Sequence, residues 1–270
     1  MSAALAELKS ARRIVRPNQA NIVTLDIERF KGRFEAEFWD LNDFKNRRIR
    51  PEQVLEWPRT ICVASRRYGT KAVQFVSEWD AGREDMLHAA WKVYDEADII
   101  VGHNVARFDT RKLKAEWAMM GLKSPRPFKF VDTLAIARRE FGFESNTLGS
   151  LCERMGVPGK VDHYDPEVAR LALAGNKAAQ ARLRRYNVGD IEASEALFDA
   201  MRGWIPNHPF IGTRGDEKVC NQCGSDDLAL DETQRYRAVV LDYALFRCGN
   251  CGANVRGGWV SRAASTRGAR

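Results

Sequence analysis

The sequence lacks the long apolar segment that a membrane span requires, and its first residues lack the apolar core of a secretion signal. A membrane-spanning helix needs about 20 consecutive apolar residues, and no run in this 270-residue chain approaches that length. The opening stretch, "MSAALAELKSARRIVRP", is basic and only weakly helical in pattern. We therefore expect a protein of the cytoplasm, or of the host cytoplasm if the source is viral, with no membrane partner.

Internal repeats and low-complexity tracts are also missing, apart from a short basic stretch at the C-terminal end. Hydrophobic residues make up 44% of the chain, which is enough to build an ordinary globular core. The length fits one large domain together with a small one. The formal net charge of +7 fits two interpretations, ordinary solubility or a polyanionic partner such as nucleic acid.

Changes in composition divide the chain into five segments. Residues 1–20 read as a weakly helical, basic N-terminal arm, and 21–204 as the main domain. Two prolines and two glycines mark 205–217 as a linker. A small unit follows at 218–258, and 259–270 is a basic tail that we expect to be disordered.

Within the main domain, strand patterns come first and helical patterns dominate later. "IVTLDIE" is rich in strand formers, whereas 177–204 has the spacing of one long helix. Asp132 precedes another helical pattern, where it is a good helix cap. This order predicts an α/β layered fold with a mixed sheet. In the small unit, "YRAVVLDY" and "ALFRCG" predict short strands.

Acidic residues follow apolar elements at three places. Asp26 and Glu28 are two residues apart on a strand, so they share one face. Asp109 lies at a strand-to-helix junction, and Tyr186 and Asp190 are four residues apart on a helix, so they also share a face. Taken singly, these residues fit ordinary roles as a solvated strand end, a helix N-cap and an exposed polar stripe.

Taken together, the four carboxylates indicate a cation site. Acidic groups cannot gather in a dry cleft unless positive charge neutralises them. Hard divalent cations prefer oxygen ligands. Two such ions about 3.5–4 Å apart clamp the attacking and leaving oxygens of a phosphodiester displacement.

Three of these stretches, "DIE", "HNVARFD" and "YNVGD", resemble in order the motifs of the DEDD 3′→5′ exonuclease superfamily. That superfamily includes polymerase proofreading domains, ribonuclease D and oligoribonuclease-type enzymes. The resemblance covers about residues 20–204 and implies a ribonuclease H-like, mixed five-stranded sheet flanked by helices. The tyrosine at 186, with arginine rather than histidine at 185, resembles the tyrosine subclass, DEDDy.

The resemblance also implies roles for the acidic residues. Asp26 would bridge two Mg²⁺ or Mn²⁺ ions. Glu28 and Asp190 would hold the ion that activates water, and Asp109 would hold the ion on the leaving-group side. Tyr186 would orient or deprotonate the attacking water, although a phenol with a pKa near 10 is a poor base.

The terminal nucleotide of the substrate would lie near Ile27, Asn104 and Phe108, by the same resemblance. Phe108 fits a core position equally well. Relatives have small or hydroxyl residues after the Asp-x-Glu motif, whereas Arg29 and Phe30 follow it here. Arg29 would contact a phosphate and Phe30 would stack on a base, or both would lie on a hairpin surface.

Four of the six cysteines form a separate pattern near the C-terminus. Two Cys-x2-Cys pairs are separated by 24 residues and comprise Cys220, Cys223, Cys248 and Cys251. Four thiolates bind Zn²⁺ tetrahedrally, and disulfides are the alternative, which a cytosolic setting disfavours. The unit looks like a zinc ribbon with one structural Zn²⁺ that supplies folding free energy. Cys62 and Cys152 stand alone in apolar surroundings and are expected to be buried thiols.

Two roles for the ribbon stay open at this point. It would touch nucleic acid through arginines on its strands, or dock another protein. The arginines concerned are Arg235, Arg237, Arg247 and Arg256.

The function implied by the resemblance is a metal-dependent 3′→5′ exonuclease that releases nucleoside monophosphates, with single-stranded DNA as the favoured substrate. It would serve replication, proofreading or repair, acting on a 3′ end with a polymerase or another replication protein as a further partner. The alternatives are an exoribonuclease of the same family and a non-catalytic nucleic-acid-binding adaptor on the nuclease fold.

Overall fold

The computed structural model describes most of the chain. Its described ranges are 20–37, 48–159, 162–211, 218–238 and 240–262. The expected N-terminal arm (residue 20 excepted), residues 212–217 of the expected linker and residues 263–270 of the expected tail lie outside these ranges. No helix within the described ranges combines the length and hydropathy that crossing a bilayer requires.

A five-stranded mixed sheet forms the centre of the main domain, with strand order β5-β4-β1-β6-β7. Strand β1 pairs antiparallel with β4 and parallel with β6, while β7 adds in parallel and β5 in antiparallel. The bounds are Ile22–Phe30 for β1, Arg59–Arg67 for β4, Gln74–Ser77 for β5, Ile99–Gly102 for β6 and Lys129–Asp132 for β7. The expected five-stranded mixed sheet is therefore confirmed.

The middle strand β1 is buried over most of its length, and five of its nine residues are apolar. Val23, Leu25 and Ile27 face one side and pack in one cluster. The register with β4 shifts between Glu28 and Arg29. Such bulges re-aim side chains at the end of a strand, here beside the acidic pair.

Helices cover both faces of the sheet. The first face packs against α2 (Arg83–Glu96) and α3 (Asp109–Met119), whose buried residues join the β1 cluster. The other face packs against α4 (Thr133–Glu140), α5 (Leu148–Met155), α6 (Pro166–Leu173) and α7 (Lys177–Met201). A short helix, α1 (Glu78–Ala81), precedes α2 in the chain.

The long helix α7 lies directly on β1 and β4. It begins where the Asn176 side chain accepts a hydrogen bond from the N–H of Ala179 at 3.0 Å. Arg66 of β4 donates two hydrogen bonds of 2.9 Å to the fully buried Glu195 of α7. Breaking a buried pair of this kind costs about 3–5 kcal/mol, so this contact fixes the helix over the sheet.

A second, three-stranded antiparallel sheet lies in the C-terminal unit, with order β10-β9-β8. Its strands are β8 Leu228–Arg237, β9 Leu241–Cys248 and β10 Asn254–Arg262. Between β1 and β4 in the chain, β2 (Arg33–Phe34) pairs with β3 (Val54–Glu56) in a two-stranded ribbon.

Two expectations for the C-terminal unit are wrong. "YRAVVLDY" does not form one strand, because β8 ends at Arg237 and the N–H of Ala238 donates to the carbonyl of Leu241 in a turn. The sequence predicts that residues 259–262 belong to a disordered tail, but they form the end of β10. The local sequence does not predict a strand here, because Gly257 and Gly258 interrupt it. Hydrogen bonds from pairing with β9 stabilise the strand instead.

Candidate functional site

Three carboxylates meet where β1 passes under α7. Oxygen atoms of Asp26, Glu28 and Asp190 all lie within 4.8 Å of one another. Glu28 and Asp190 are buried and Asp26 is half-buried. The alternation of β1 and the course of α7 thus bring together three of the residues that the sequence analysis singled out.

The donor set of this triad fits a hard divalent cation. At an effective dielectric constant near 20, two unit negative charges 4.8 Å apart repel by about 3.5 kcal/mol. A bound cation relieves that repulsion, and Mg²⁺ and Mn²⁺ accept all-oxygen ligands. The triad alone does not decide which ion binds.

Asn187 is a member of this site that the sequence analysis missed. Its amide nitrogen donates to Oδ2 of Asp26 at 2.6 Å. Its amide oxygen Oδ1 is buried and has no hydrogen-bond partner among the described residues, so it is available to a cation or its water. The signal was its spacing, since Asn187 lies three residues before Asp190 and therefore on the same helical face.

The fourth acid, Asp109, contacts β1 rather than joining the triad's cluster of oxygens. Its Oδ1 accepts the N–H of Ile27 at 3.1 Å, between the two acids of β1. Phe108, not Asp109, occupies the N-cap position of α3, so the helix-cap interpretation is wrong. Burial raises the pKa of Asp109 to about 7, against the opposing effect of backbone hydrogen bonds.

Two phenols lie near the acids. Tyr186 is buried on α7, one turn before Asp190. Tyr164, which the sequence analysis did not single out, donates its hydroxyl to the carbonyl of Arg29 at 2.6 Å. Burial, together with the charge of Glu28, raises the pKa of Tyr164 to about 12, so this phenol stays protonated and serves to hold the end of β1.

Asp132 positions the loop that leads into α3. Its carboxylate accepts the backbone N–H groups of Asn104 at 3.0 Å and Ala106 at 3.1 Å. It also caps α4 by accepting from Leu134 and Ala135, which confirms the expected cap. Asn104 itself has a positive φ of 67°, a conformation that asparagine tolerates better than most residues. The loop is thus fixed from the base of α4.

The expected nucleotide-binding residues have different surroundings. Phe108 is 42% exposed, so the alternative of a core position is wrong. Ile27 is buried, and its N–H is used by Asp109. Phe30 is buried under the guanidinium of Arg59, 5.1 Å from the ring centroid, so it cannot stack on a base as expected.

Arg29 follows Glu28 directly, and its guanidinium contacts residues outside the acidic triad. Its guanidinium donates to Glu116 at 2.6 Å, to Thr60 Oγ1 at 3.1 Å and to the carbonyl of Pro58 at 3.0 Å. These contacts use three of the five N–H donors of the guanidinium. Arg29 therefore joins β1 to α3, and its contact with a phosphate stays a prediction.

The four C-terminal cysteines form a second candidate metal centre. All four sulfur atoms lie within 4.8 Å of one another and are buried. The Sγ–Sγ distances are 3.7 Å between Cys220 and Cys251 and 3.6 Å between Cys223 and Cys248. Thiolates about 2.3 Å from a tetrahedral zinc ion would be about 3.8 Å apart, whereas a disulfide needs about 2.05 Å. The sulfurs therefore fit a shared metal ion and not a disulfide.

The other two cysteines behave as expected. Cys62 and Cys152 are fully buried thiols in the main domain. Burial raises the pKa of Cys62 well above its usual range, and the charges of Glu28 and Asp26 add to this effect. Neither is a ligand of the cysteine centre.

Comparisons with known proteins give a match in structure only. The sequence matches no family model, and no curated protein is significantly similar to it. Among solved structures, the chain is similar to the family B DNA polymerase from the hyperthermophilic archaeon Pyrobaculum calidifontis, with a TM-score of 0.50 and 15% sequence identity. The match covers 70% of this chain and 25% of the polymerase, so the matched part of this chain has the fold of about a quarter of that protein.

Proposed function

We propose that this protein is a metal-dependent 3′→5′ exonuclease of the DEDD type, tyrosine subclass, on a ribonuclease H-like fold. The observation that carries the proposal is the convergence of Asp26, Glu28 and Asp190 within 4.8 Å, from a strand and a helix far apart in sequence. The backbone contact of Asp109 between the two strand acids supports it further. Likeness to part of a DNA polymerase supports it only at the level of the fold.

Two Mg²⁺ or Mn²⁺ ions would be held by the four acids and would supply water activation and neutralisation of the charge on the scissile phosphate. Asp26 is suited to bridging, because it lies beside both Glu28 and the Asn187 amide. Glu28 and Asp190 would hold the ion that activates water, and Asp109 would hold the ion on the leaving-group side. Tyr186, one turn before Asp190, would orient that water.

In this proposal, the protonation state of Asp109 depends on whether a cation is bound. Burial holds its pKa near 7 when no cation is present. A nearby positive charge favours the carboxylate form. Bound cations would therefore hold Asp109 as a carboxylate, and its hydrogen bond from Ile27 would keep it aligned with β1.

On the substrate side, we assign Phe108 and Asn104 to the terminal nucleotide, with the Ile27 backbone beside it. The exposed ring of Phe108 is free to contact a base or sugar. The capped loop before α3 holds Asn104 and Phe108 at fixed positions, because Asp132 anchors its backbone. Single-stranded DNA is the favoured substrate, and RNA is the alternative.

The four cysteines would hold one structural Zn²⁺ in a ribbon at 218–262. Protein sulfur fills all four tetrahedral positions, so this ion has no open site for chemistry. Leu228, Phe246 and Val255 pack against the cysteines and complete a very small core. A unit of this size needs the metal to fold.

Release of mononucleotides from labelled single strands tests the proposed activity. Wild-type protein with Mg²⁺ or Mn²⁺ is expected to release the terminal nucleotide from a 3′-labelled strand and to leave circular DNA intact. Replacing Asp26 by Asn should lower the rate by at least about 10²-fold, because it removes a carboxylate that would hold the ions that stabilise charge in the transition state. Asp85→Asn, on an exposed turn of α2, is the matched control and should keep full activity.

Two results would contradict the assignment. Full activity in Asp26→Asn, with unchanged circular dichroism, would remove the triad from catalysis. Binding of single strands by the wild-type protein, without hydrolysis in either metal, would favour the adaptor. Equal rates on DNA and RNA strands would leave the exonuclease in place and broaden its substrate.

A further inference from the structure

A row of aromatic residues crosses the C-terminal sheet. Tyr236 of β8 pairs with Tyr243 of β9, and Tyr243 pairs in turn with Trp259 of β10. Directly paired residues of neighbouring strands project from the same face of a sheet. Three aromatic side chains therefore lie side by side across all three strands.

This row lies on the outer face of the sheet. Phe246 and Val255 pair with each other and pack against the cysteine centre, which defines the inner face. Tyr243 is three residues before Phe246 and so projects to the opposite side. Trp259 is 62% exposed and Tyr236 is 46% exposed, so two rings of the row are open to solvent.

Arginine completes the outer face. The guanidinium of Arg256 lies 4.6 Å from the ring centroid of Tyr243 and 5.7 Å from that of Tyr236. Tyr236 and Tyr243 are themselves 6.2 Å apart between ring centroids. These contacts hold the tyrosine rings in place and put a positive charge within the row.

The chain after Asp242 is positively charged, whereas β8 carries Asp231 and Glu232. From Tyr243 to Arg270 the chain contains five arginines and no aspartate or glutamate. The last acidic residue, Asp242, alternates with Tyr243 along β9 and so projects to the inner face. A partner of this face must therefore tolerate aromatic surface and positive charge together.

We propose that the outer face of the C-terminal sheet, defined by Tyr236, Tyr243, Arg256 and Trp259, binds single-stranded nucleic acid. Unpaired bases stack on the rings of Trp259 and Tyr236, and the arginines contact the phosphates. Stacking on aromatic residues beside cations is how proteins hold single strands without reading sequence. A duplex offers no free base faces to such a row, and an acidic partner without rings leaves Trp259 unused.

This inference goes beyond the proposed hydrolysis, because it concerns a surface that shares no residue with the acidic triad. Full-length, zinc-loaded protein is titrated into a fluorescently labelled oligothymidylate of about 30 nucleotides, long enough for several stacking positions, without Mg²⁺ or Mn²⁺. Fluorescence anisotropy gives the Kd. Trp259→Ala is expected to weaken binding by roughly 5- to 150-fold, and Trp259→Phe should keep most of the affinity.

Trp57→Ala is the matched control, because Trp57 is 63% exposed but lies in the main domain. The Trp57→Ala protein should bind the oligothymidylate with the same affinity as the wild type. Tyr236→Ala, on a different strand, should also weaken binding, so the result does not depend on one variant. One zinc per chain and an unchanged circular dichroism spectrum establish that each variant is folded.

Equal affinity of wild type, Trp259→Ala and Tyr236→Ala would overturn the inference and leave this face to a protein partner. Mononucleotide release with Mg²⁺ is measured on the same preparations. Protein that binds through Trp259 but hydrolyses nothing would refute the proposed exonuclease and keep this inference. Protein that hydrolyses single strands, with affinity independent of the row, would refute this inference alone.

Discussion

Replacing Asp190 by Asn is expected to stabilise the metal-free protein and to abolish its response to divalent cations. Asp190 lies within 4.8 Å of both Asp26 and Glu28. Each such pair of charges repels by about 3.5 kcal/mol at an effective dielectric constant of 20. Asparagine has nearly the same shape and carries no charge, so both repulsions disappear together.

The gain has an upper limit that comes from proton uptake. Protonating an ordinary aspartate at pH 7 costs about 4 kcal/mol. If the repulsion between the carboxylates exceeds that cost, one of them takes up a proton, so the repulsion that the substitution can relieve is at most about 4 kcal/mol. Loss of the other interactions of Asp190 reduces the gain further. We expect the free energy of unfolding to rise by about 1–3 kcal/mol, or the melting temperature by roughly 2–12 °C.

Thermal and urea unfolding in buffer free of Mg²⁺ and Mn²⁺, with zinc retained, measure this change. On addition of Mn²⁺ the wild type should gain about 2.7 kcal/mol once the ion exceeds its Kd by about 100-fold, and Asp190→Asn should gain far less. Glu153→Gln is the control, since Glu153 is exposed on α5. A destabilised Asp190→Asn that responds to Mn²⁺ like the wild type would refute the cation site.

Two further predictions concern other parts of the molecule. Burial lowers the pKa of His208 to about 4 from its ordinary value of 6.5. Between pH 4 and 6.5 the unfolded chain therefore binds more protons at this residue than the folded chain does. The free energy of unfolding should consequently fall by about 3 kcal/mol as the pH drops from 6.5 to 4. In His208→Asn, urea unfolding across this range should depend less on pH, and an unchanged slope would contradict the burial argument. Cys223→Ser should lose the bound zinc, measured as metal per chain, and amide exchange in β8–β10 should accelerate while β1 stays protected. Full zinc occupancy in this variant would contradict a four-thiolate centre.

Short sequence periods explain why much of the site could be predicted. A strand places Asp26 and Glu28 on one face whatever surrounds it. A helix does the same for Tyr186 and Asp190. The two Cys-x2-Cys pairs are similarly local, since each turn holds its own sulfurs close together. Each of these groups depends on residues no more than four positions apart.

The surroundings of Arg29, Phe30 and Asp109 could not be predicted, because each is set by a contact with a distant part of the chain. Arg29 and Phe30 follow the acidic motif directly, yet Glu116 and Arg59, far along the chain, decide where they lie. The local sequence around Asp109 fits a helix cap, but the packing of α3 against β1 places its carboxylate where it accepts the N–H of Ile27. No local pattern contains these partners.

The sequence by itself determined the alternation of β1, the helical spacing on α7 and the pairing of the cysteines, because these follow from backbone periods of two and 3.6 residues. Only the tertiary structure decided that Asp190 meets Asp26 and Glu28, that Asn187 joins them, and that Tyr236, Tyr243 and Trp259 form one row. Those contacts depend on strand register and helix packing, which are set by burial of the whole core and not by any short segment.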